Sequence, residues 1–182
     1  GIQYVGPANS TIGAGGFYTA GTYHYLKFTA LNSFRLVSVL VNSNTVGNRL
    51  IELRNSAGVV IQSASVAIPV GQSRVTLNFN VPIGVDLQLG IAGNNSLYRN
   101  STGGSYPYSI ANNVSITGNS ANNLSYYYYF YDWEINQFCT SSRVSVTGII
   151  NENTPSGISI LSNDSETCQG EVAYFNSIAT NA

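Results

Sequence analysis

Asp132 and Glu134 stand two positions apart in SYYYYFYDWEI (residues 125–135), directly after a run of aromatic residues. On a strand they would share one face, with Cα atoms about 7 Å apart. Such a pair has three uses. It can divide acid and base work in a hydrolase, supply hard oxygen ligands to calcium, or pair with arginines. The rest of the chain does not support hydrolysis. His24 is the only histidine, and in TYHYLKF it alternates with Tyr23 and Tyr25 as a strand residue would. There is no GxSxG elbow, and neither cysteine has a histidine near it in sequence. No enzymatic activity is expected.

Two readings of the carboxylates remain beside a third for the aromatic residues. A calcium site would combine Asp132 or Glu134 with backbone carbonyls of a loop such as NSNTVGN (residues 42–48), although the chain has no Asp-rich loop motif. In an ordinary ion-paired face, Arg49 or Arg54 would neutralise the carboxylates. If the stretch is one strand, Tyr127, Tyr129, Tyr131, Trp133 and Ile135 point to the core. Tyr126, Tyr128, Phe130, Asp132 and Glu134 then point the other way, onto a partly wet face. There Tyr126 and Tyr128 could take the apolar C–H face of a sugar, whose hydroxyls suit neutral amides.

A second candidate lies in SLYRNSTGGSYPYS. Tyr98, Arg99, Asn100, Tyr106 and Tyr108 combine rings with amide and guanidinium donors, which suits a glycan edge or a protein contact. The alternative is a loop whose tyrosines pack back on the fold.

The elements that must position these residues are strands. In RVTLNFNV, Val75, Leu77, Phe79 and Val81 alternate with polar residues, and VDLQLGIA repeats the pattern with Val85, Leu87, Leu89 and Ile91. NRLIELRNSAGVVIQSASVAI reads as a hairpin turning at Asn55-Ser56-Ala57-Gly58. Further strands are expected near residues 17–29, 34–41, 107–116 and 125–138. The polar stretches GNNSLYRNSTGGSYPYS and TGNSANN are expected as loops. Turn signals every eight to twelve residues, with no helical periodicity, predict an all-β antiparallel sandwich of jelly-roll type. Its core should include Val75, Leu77, Phe79, Leu87, Leu89 and Trp133.

The totals narrow the partners. Of 182 residues, 43% are hydrophobic, enough for a real core, while 8% are charged and the net charge is −1. That is about a third of the usual charged share. It leaves no basic footprint for nucleic acid and none for an anionic membrane surface. No run of eighteen apolar residues exists, so no membrane insertion is expected. The chain begins at Gly1 and contains no Met, from which a processed protein or a fragment of something longer is expected.

Composition shifts near residues 138–142. Residues 1–138 form the sandwich; residues 139–182 form a β-rich extension that holds half of the chain's eight acidic residues. Cys139 and Cys168 lack metal-binding spacing. They are expected to join as a disulfide, closing a loop that stabilises by about 3–4 kcal/mol, unless each belongs to a different module.

Taken in order, NRLIELRNSAGVVIQSASVAIPVGQSRVTLNFNVPIGVDLQLGI, LYRNSTGGSYPYSI and YYYYFYDWEI resemble a β-sandwich module of large secreted proteins of the Bacteroidota, cargo of the type nine secretion system. The tail resembles parts of immunoglobulin-like repeats from the same proteins, CTSSRVSVT as a closing strand and TCQGEVAYF as an opening one. No sorting domain is visible. The resemblance implies a secreted or cell-surface accessory module beside neighbouring modules of a longer chain. Similar sandwiches elsewhere bind carbohydrate, often with a structural calcium. The expected function is non-catalytic attachment to polysaccharide or another cell-surface polymer. The alternative is a structural spacer or adhesin repeat with no small ligand.

Overall fold

The computed structural model describes residues 1–137 except 20, 92, 94 and 95, together with the backbone strands 157–162 and 175–180. The chain divides into two compact units, Gly1–Phe138 and Cys139–Ala182.

The first unit is the all-β sandwich that the alternation predicts. Its strands are β1 (Ile2–Val5), β2 (Gly15–Tyr18), β3 (His24–Ala30), β4 (Phe34–Ser43), β5 (Gly47–Arg54), β6 (Val60–Ile68) and β7 (Gly71–Val81). After them come β8 (Gly84–Ile91), β9 (Leu97–Asn100), β10 (Tyr108–Ile110), β11 (Val114–Asn119), β12 (Tyr127–Tyr128) and β13 (Tyr131–Gln137). One sheet contains β1-β13-β4-β7, extended past the end of β13 by β9, which pairs with β2, β12 and the last residue of β4. The other runs β10-β11-β3-β8-β5-β6, and every pairing is antiparallel. Without the short additions, the orders β1-β13-β4-β7 and β3-β8-β5-β6 are the two interleaved sheets of a jelly roll. In the second unit, β14 (Gly157–Ser162) pairs antiparallel with β15 (Phe175–Thr180). Among the described residues no helix is long and apolar enough to cross a membrane.

The core forms where the two inner faces meet. All six residues expected there are buried, together with Leu26, Phe28, Leu36, Ile51 and Leu53. The β5–β6 hairpin turns at Asn55, whose Oδ1 accepts from the backbone N–H groups of Ala57 and Val59. The open edge of β7 is capped by a side chain: the Gln62 amide donates to the Asn80 carbonyl at 2.8 Å and accepts from its N–H at 3.0 Å. That completes one rung of a ladder without another strand.

The structure departs from the expected strands in several places. Val85 does not join Leu87 and Leu89 in the core but is 66% exposed, because Asp86 at φ 53° resets the alternation. Residues 17–29 and 107–116 each divide into two strands, with β2 and β3 in different sheets. The polar stretch after Gly93 is not wholly loop, since Leu97–Asn100 pairs as β9 with buried ends. Likewise residues 117–119 of TGNSANN complete β11. Cys139 and Cys168 lie outside the described residues, as does their pairing.

Candidate functional site

The aromatic stretch is not one continuous strand. Tyr129 at φ 64° and Asp132 at φ 41° break it into β12 and β13, so strict two-sidedness fails. Tyr127 to Tyr131 are all buried, including Tyr128 and Phe130, which alternation assigns to a wet face. The interior is wired by hydroxyls and the indole. Tyr127 Oη donates to the Phe130 carbonyl at 2.9 Å, Trp133 Nε1 to the same carbonyl at 2.8 Å, and Tyr131 Oη to Asn100 Oδ1 at 2.7 Å. Burial raises the pKa values of Tyr106, Tyr127 and Tyr131 well above the ordinary tyrosine value, so all three stay neutral donors.

Around Tyr128 the two sheets build a mixed aromatic and cationic cluster. The guanidinium carbon of half-buried Arg99 lies 4.2 Å from the ring centre of Tyr18, 4.6 Å from that of Tyr126 and 5.7 Å from that of Tyr128. Tyr18 and Tyr126 are themselves half-buried. Register explains the grouping, because β2 and β12 both pair with β9, which carries Arg99. From the other sheet, His24 stacks on Tyr128 at 5.0 Å and 10°. Its Nδ1 lies 3.1 Å from Ser120 Oγ and its Nε2 3.1 Å from Thr22 Oγ1. A guanidinium over an aromatic face contributes about 0.5–2 kcal/mol, more as water is excluded.

His24 carries a pH signature. Burial, with a smaller push from the Arg99 charge, lowers its pKa from the ordinary 6.5. The folded state then binds fewer protons than the unfolded chain just below that value, so stability is full above about pH 6.5 and declines as pH falls. We expect the melting temperature to drop between about pH 7 and pH 5. His24→Gln should flatten part of that slope; an identical slope in the variant would show that other groups set it.

The remaining residues of the expected glycan edge divide among other roles. Tyr98 leaves Arg99 and packs edge-to-face on Phe17 at 5.4 Å. Asn100 is fully buried, its amide donating to the Ser10 and Gly13 carbonyls at 3.0 Å each, so it is a loop anchor and not a ligand contact. Tyr106 and Tyr108 are half-buried against Tyr127, at 5.9 Å and 5.5 Å. Tyr106 Oη donates to the Tyr126 carbonyl at 2.9 Å, and Tyr108 Oη accepts from Ser105 N–H at 2.8 Å. These two tyrosines pack back on the sandwich. Tyr128, 1% exposed, lines the floor of the cluster and offers no open face for a sugar.

The carboxylates meet an arginine different from those expected. Arg49 donates to Ser43 Oγ and to the Thr45 carbonyl within the 42–48 loop, and Arg54 pairs with Glu52 at 2.5 Å. Arg74, two strands away across β4, pairs with Asp132, donates to the Asp132 carbonyl at 3.0 Å and lies 3.9 Å from Glu134. Ser38 Oγ donates to Glu134 at 2.5 Å. A guanidinium therefore stands at the carboxylates, and another takes a carbonyl of the loop expected to complete the calcium set. Among the described residues no group of three or more His, Cys, Asp or Glu side chains gathers to hold a metal.

Sequence reasoning missed Tyr18 and the Tyr23–Arg54 pair. Arg54 stacks on Tyr23 at 3.7 Å, and Tyr25 lies 5.3 Å from Tyr23. Gly90 makes room for that ring: a Cβ there would come within 2.5 Å of the Tyr23 hydroxyl oxygen. Nearby, Lys27, Asp86, Thr117, Asn119, Asn122 and Leu124 line an open groove of about 430 Å³. The alternation of Tyr23 with Tyr25 is visible in the sequence, but their partners on β5 depend on sheet order. Tyr18 has no local signal and joins Arg99 only through β2–β9 pairing.

Fold and site together define the class, an antiparallel jelly-roll sandwich with an arginine set among tyrosines where its two sheets meet. Beyond that class the chain stands apart: it matches no family model, no curated protein and no solved structure.

Proposed function

We propose that the first unit is a non-catalytic binding module of an exported bacterial protein, secreted or held at the cell surface, that attaches a larger protein to polysaccharide or another surface polymer. The observation that carries this reading is the Arg99 cluster. It presents two half-buried tyrosine rings around a guanidinium in a chain of which only 8% of residues are charged. Sugars dock through C–H faces on rings and through hydroxyls on fixed donors, and both are present at Tyr18, Tyr126 and Arg99. Calcium is not part of this reading.

The test is retention on a panel of insoluble polysaccharides. At least one should retain the protein, and retention on a neutral polysaccharide should change little between about 0.05 and 0.5 M salt, because ring stacking is not screened. Tyr18→Ala with Tyr126→Ala should abolish it while the β-sheet spectrum is kept. Retention on a neutral polysaccharide that vanishes at moderate salt, or retention that survives the double variant, contradicts the reading.

A second reading, the spacer or adhesin repeat, is favoured by apolar side chains left exposed at the start of β6, Val59, Val60 and Ile61. These suit a neighbouring module in a longer chain. No retention on any polymer would favour it.

A further inference from the structure

We infer that the Arg99 cluster takes a carboxylated sugar, a uronic acid unit of the polymer, in preference to a neutral one; this rests on reading the module as a polysaccharide binder.

Arg99 differs from the other guanidinium groups of the sandwich that make described contacts. Arg54 and Arg74 pair with carboxylates. Arg49 is held by Ser43 and Thr45. Arg99 has no carboxylate partner among the described residues. Its charge rests on the faces of Tyr18, Tyr126 and Tyr128. Those faces stabilise a cation but supply no lone pairs to its N–H groups. The acceptor at hand is the Tyr128 hydroxyl, and the buried Nε has no hydrogen-bond partner. The guanidinium is thus partly stripped of water and held by rings, with donors in excess of acceptors.

A carboxylate would meet the terminal Nη groups of Arg99, since the buried Nε is covered by the protein. It fits a guanidinium in the bidentate manner, with charge-assisted bonds about twice as strong as neutral ones. A pyranose bearing one would lay its C–H face on Tyr18 or Tyr126 and turn its carboxylate to Arg99. A neutral sugar would offer only hydroxyl oxygens there. The carboxylates of Glu52, Asp132 and Glu134 are paired with Arg54 and Arg74. Burial first, and then the Arg99 charge, lowers the pKa of His24, which stacks on Tyr128.

The test uses the full chain and soluble polygalacturonate, alginate and hyaluronate, each beside its carboxyl-reduced counterpart, in which the carboxylate has become a hydroxymethyl group. Affinity is measured by calorimetry. At least one acidic polymer should bind about tenfold or more tighter than its reduced form, as expected for charge-assisted bonds against neutral ones. Arg99→Gln should remove that difference. Arg99→Lys, which keeps the charge but loses the planar fork, should keep only part of it. Equal binding of the acidic and reduced forms overturns the inference, as does a preference that survives Arg99→Gln. Retention on neutral polymers with no affinity for any acidic one overturns the inference while leaving the binding reading intact. No binding to any polymer overturns both.

Discussion

Trp133→Ala will lower the stability of the sandwich by about 3–5 kcal/mol, the range for a fully buried large aromatic. Trp133 has no exposed surface and lies edge-to-face on Phe28 at 5.1 Å and 83°. The contact joins β13 of one sheet to β3 of the other, so the indole bridges the core. Its Nε1–H also donates to the Phe130 carbonyl, which the Tyr127 hydroxyl shares. The loss therefore combines packing with one hydrogen bond. Trp133→Phe separates the two: it keeps a ring but removes the donor. With Tyr127 still satisfying the carbonyl, it should lose much less, about 1–2 kcal/mol for the missing bond and volume. Urea unfolding monitored by circular dichroism measures both. An alanine variant within about 1 kcal/mol of the parent would mean that Trp133 is not at the centre of the core.

The second large effect is at Asn119. This side chain is completely buried at the end of β11, where β-sheet gives way to the loop that delivers Tyr126. Its amide donates to the carbonyls of Asn123 at 2.8 Å and Tyr126 at 3.0 Å, and its Oδ1 accepts from Ala121 N–H at 3.0 Å. One amide thus holds the loop at three points. Asn119→Ala strands the Ala121 N–H, while the Asn123 carbonyl keeps its bond from the Tyr126 N–H. The Tyr126 carbonyl keeps its bond from Tyr106 Oη. The stranded N–H costs about 1–3 kcal/mol, less where the loop relaxes into water. The consequence reaches function, because the loop fixes one ring of the Arg99 cluster. Hydrogen exchange should show the Tyr126 amide, bonded to the Asn123 carbonyl at 3.0 Å, losing protection. Polymer retention should weaken even though Arg99 and Tyr18 are untouched. Unchanged protection at Tyr126 would show that the loop is held by other contacts.

Legibility in the sequence followed the backbone. Where φ stays extended, as at Val75, Leu87 and Leu89, period two marks the core without help. At some left-handed residues the alternation shifts locally, while across Asn78 it holds. Asp86 exposes Val85, and Tyr129 with Asp132 buries Tyr128 and Phe130 on what alternation makes a wet face. Asn and Asp hold most of these positions, as their type favours, but Tyr129 gives no local signal of its own. The site was half legible. Arg99, Tyr126 and Tyr128 stand out as types, but the ring that completes the cluster, Tyr18, comes from a distant strand brought in by β2–β9 pairing. The same lack of sheet order hid Arg74. β7 and β13 flank β4 on opposite sides, and only that order sets Arg74 against Asp132 and Glu134. Tyr106 and Tyr108 mislead for another reason: an Asn-, Gly- and Ser-rich loop looks exposed, yet its rings find the buried face of Tyr127.

The most direct test of the binding surface is a titration of the isotope-labelled chain with an oligosaccharide cut from the polymer that retains it. Amide and side-chain shifts are followed residue by residue. The largest changes should fall on Arg99, Tyr18, Tyr126 and Ser120, with the Arg99 Nε–H signal among them. Arg74 and Glu134, with Tyr4, whose ring centre lies 5.7 Å from the Arg74 guanidinium carbon, should be unmoved. Changes centred instead on Lys27, Asp86 and Asn122, or on the Arg74 face, would contradict the assignment of the Arg99 cluster as the binding surface.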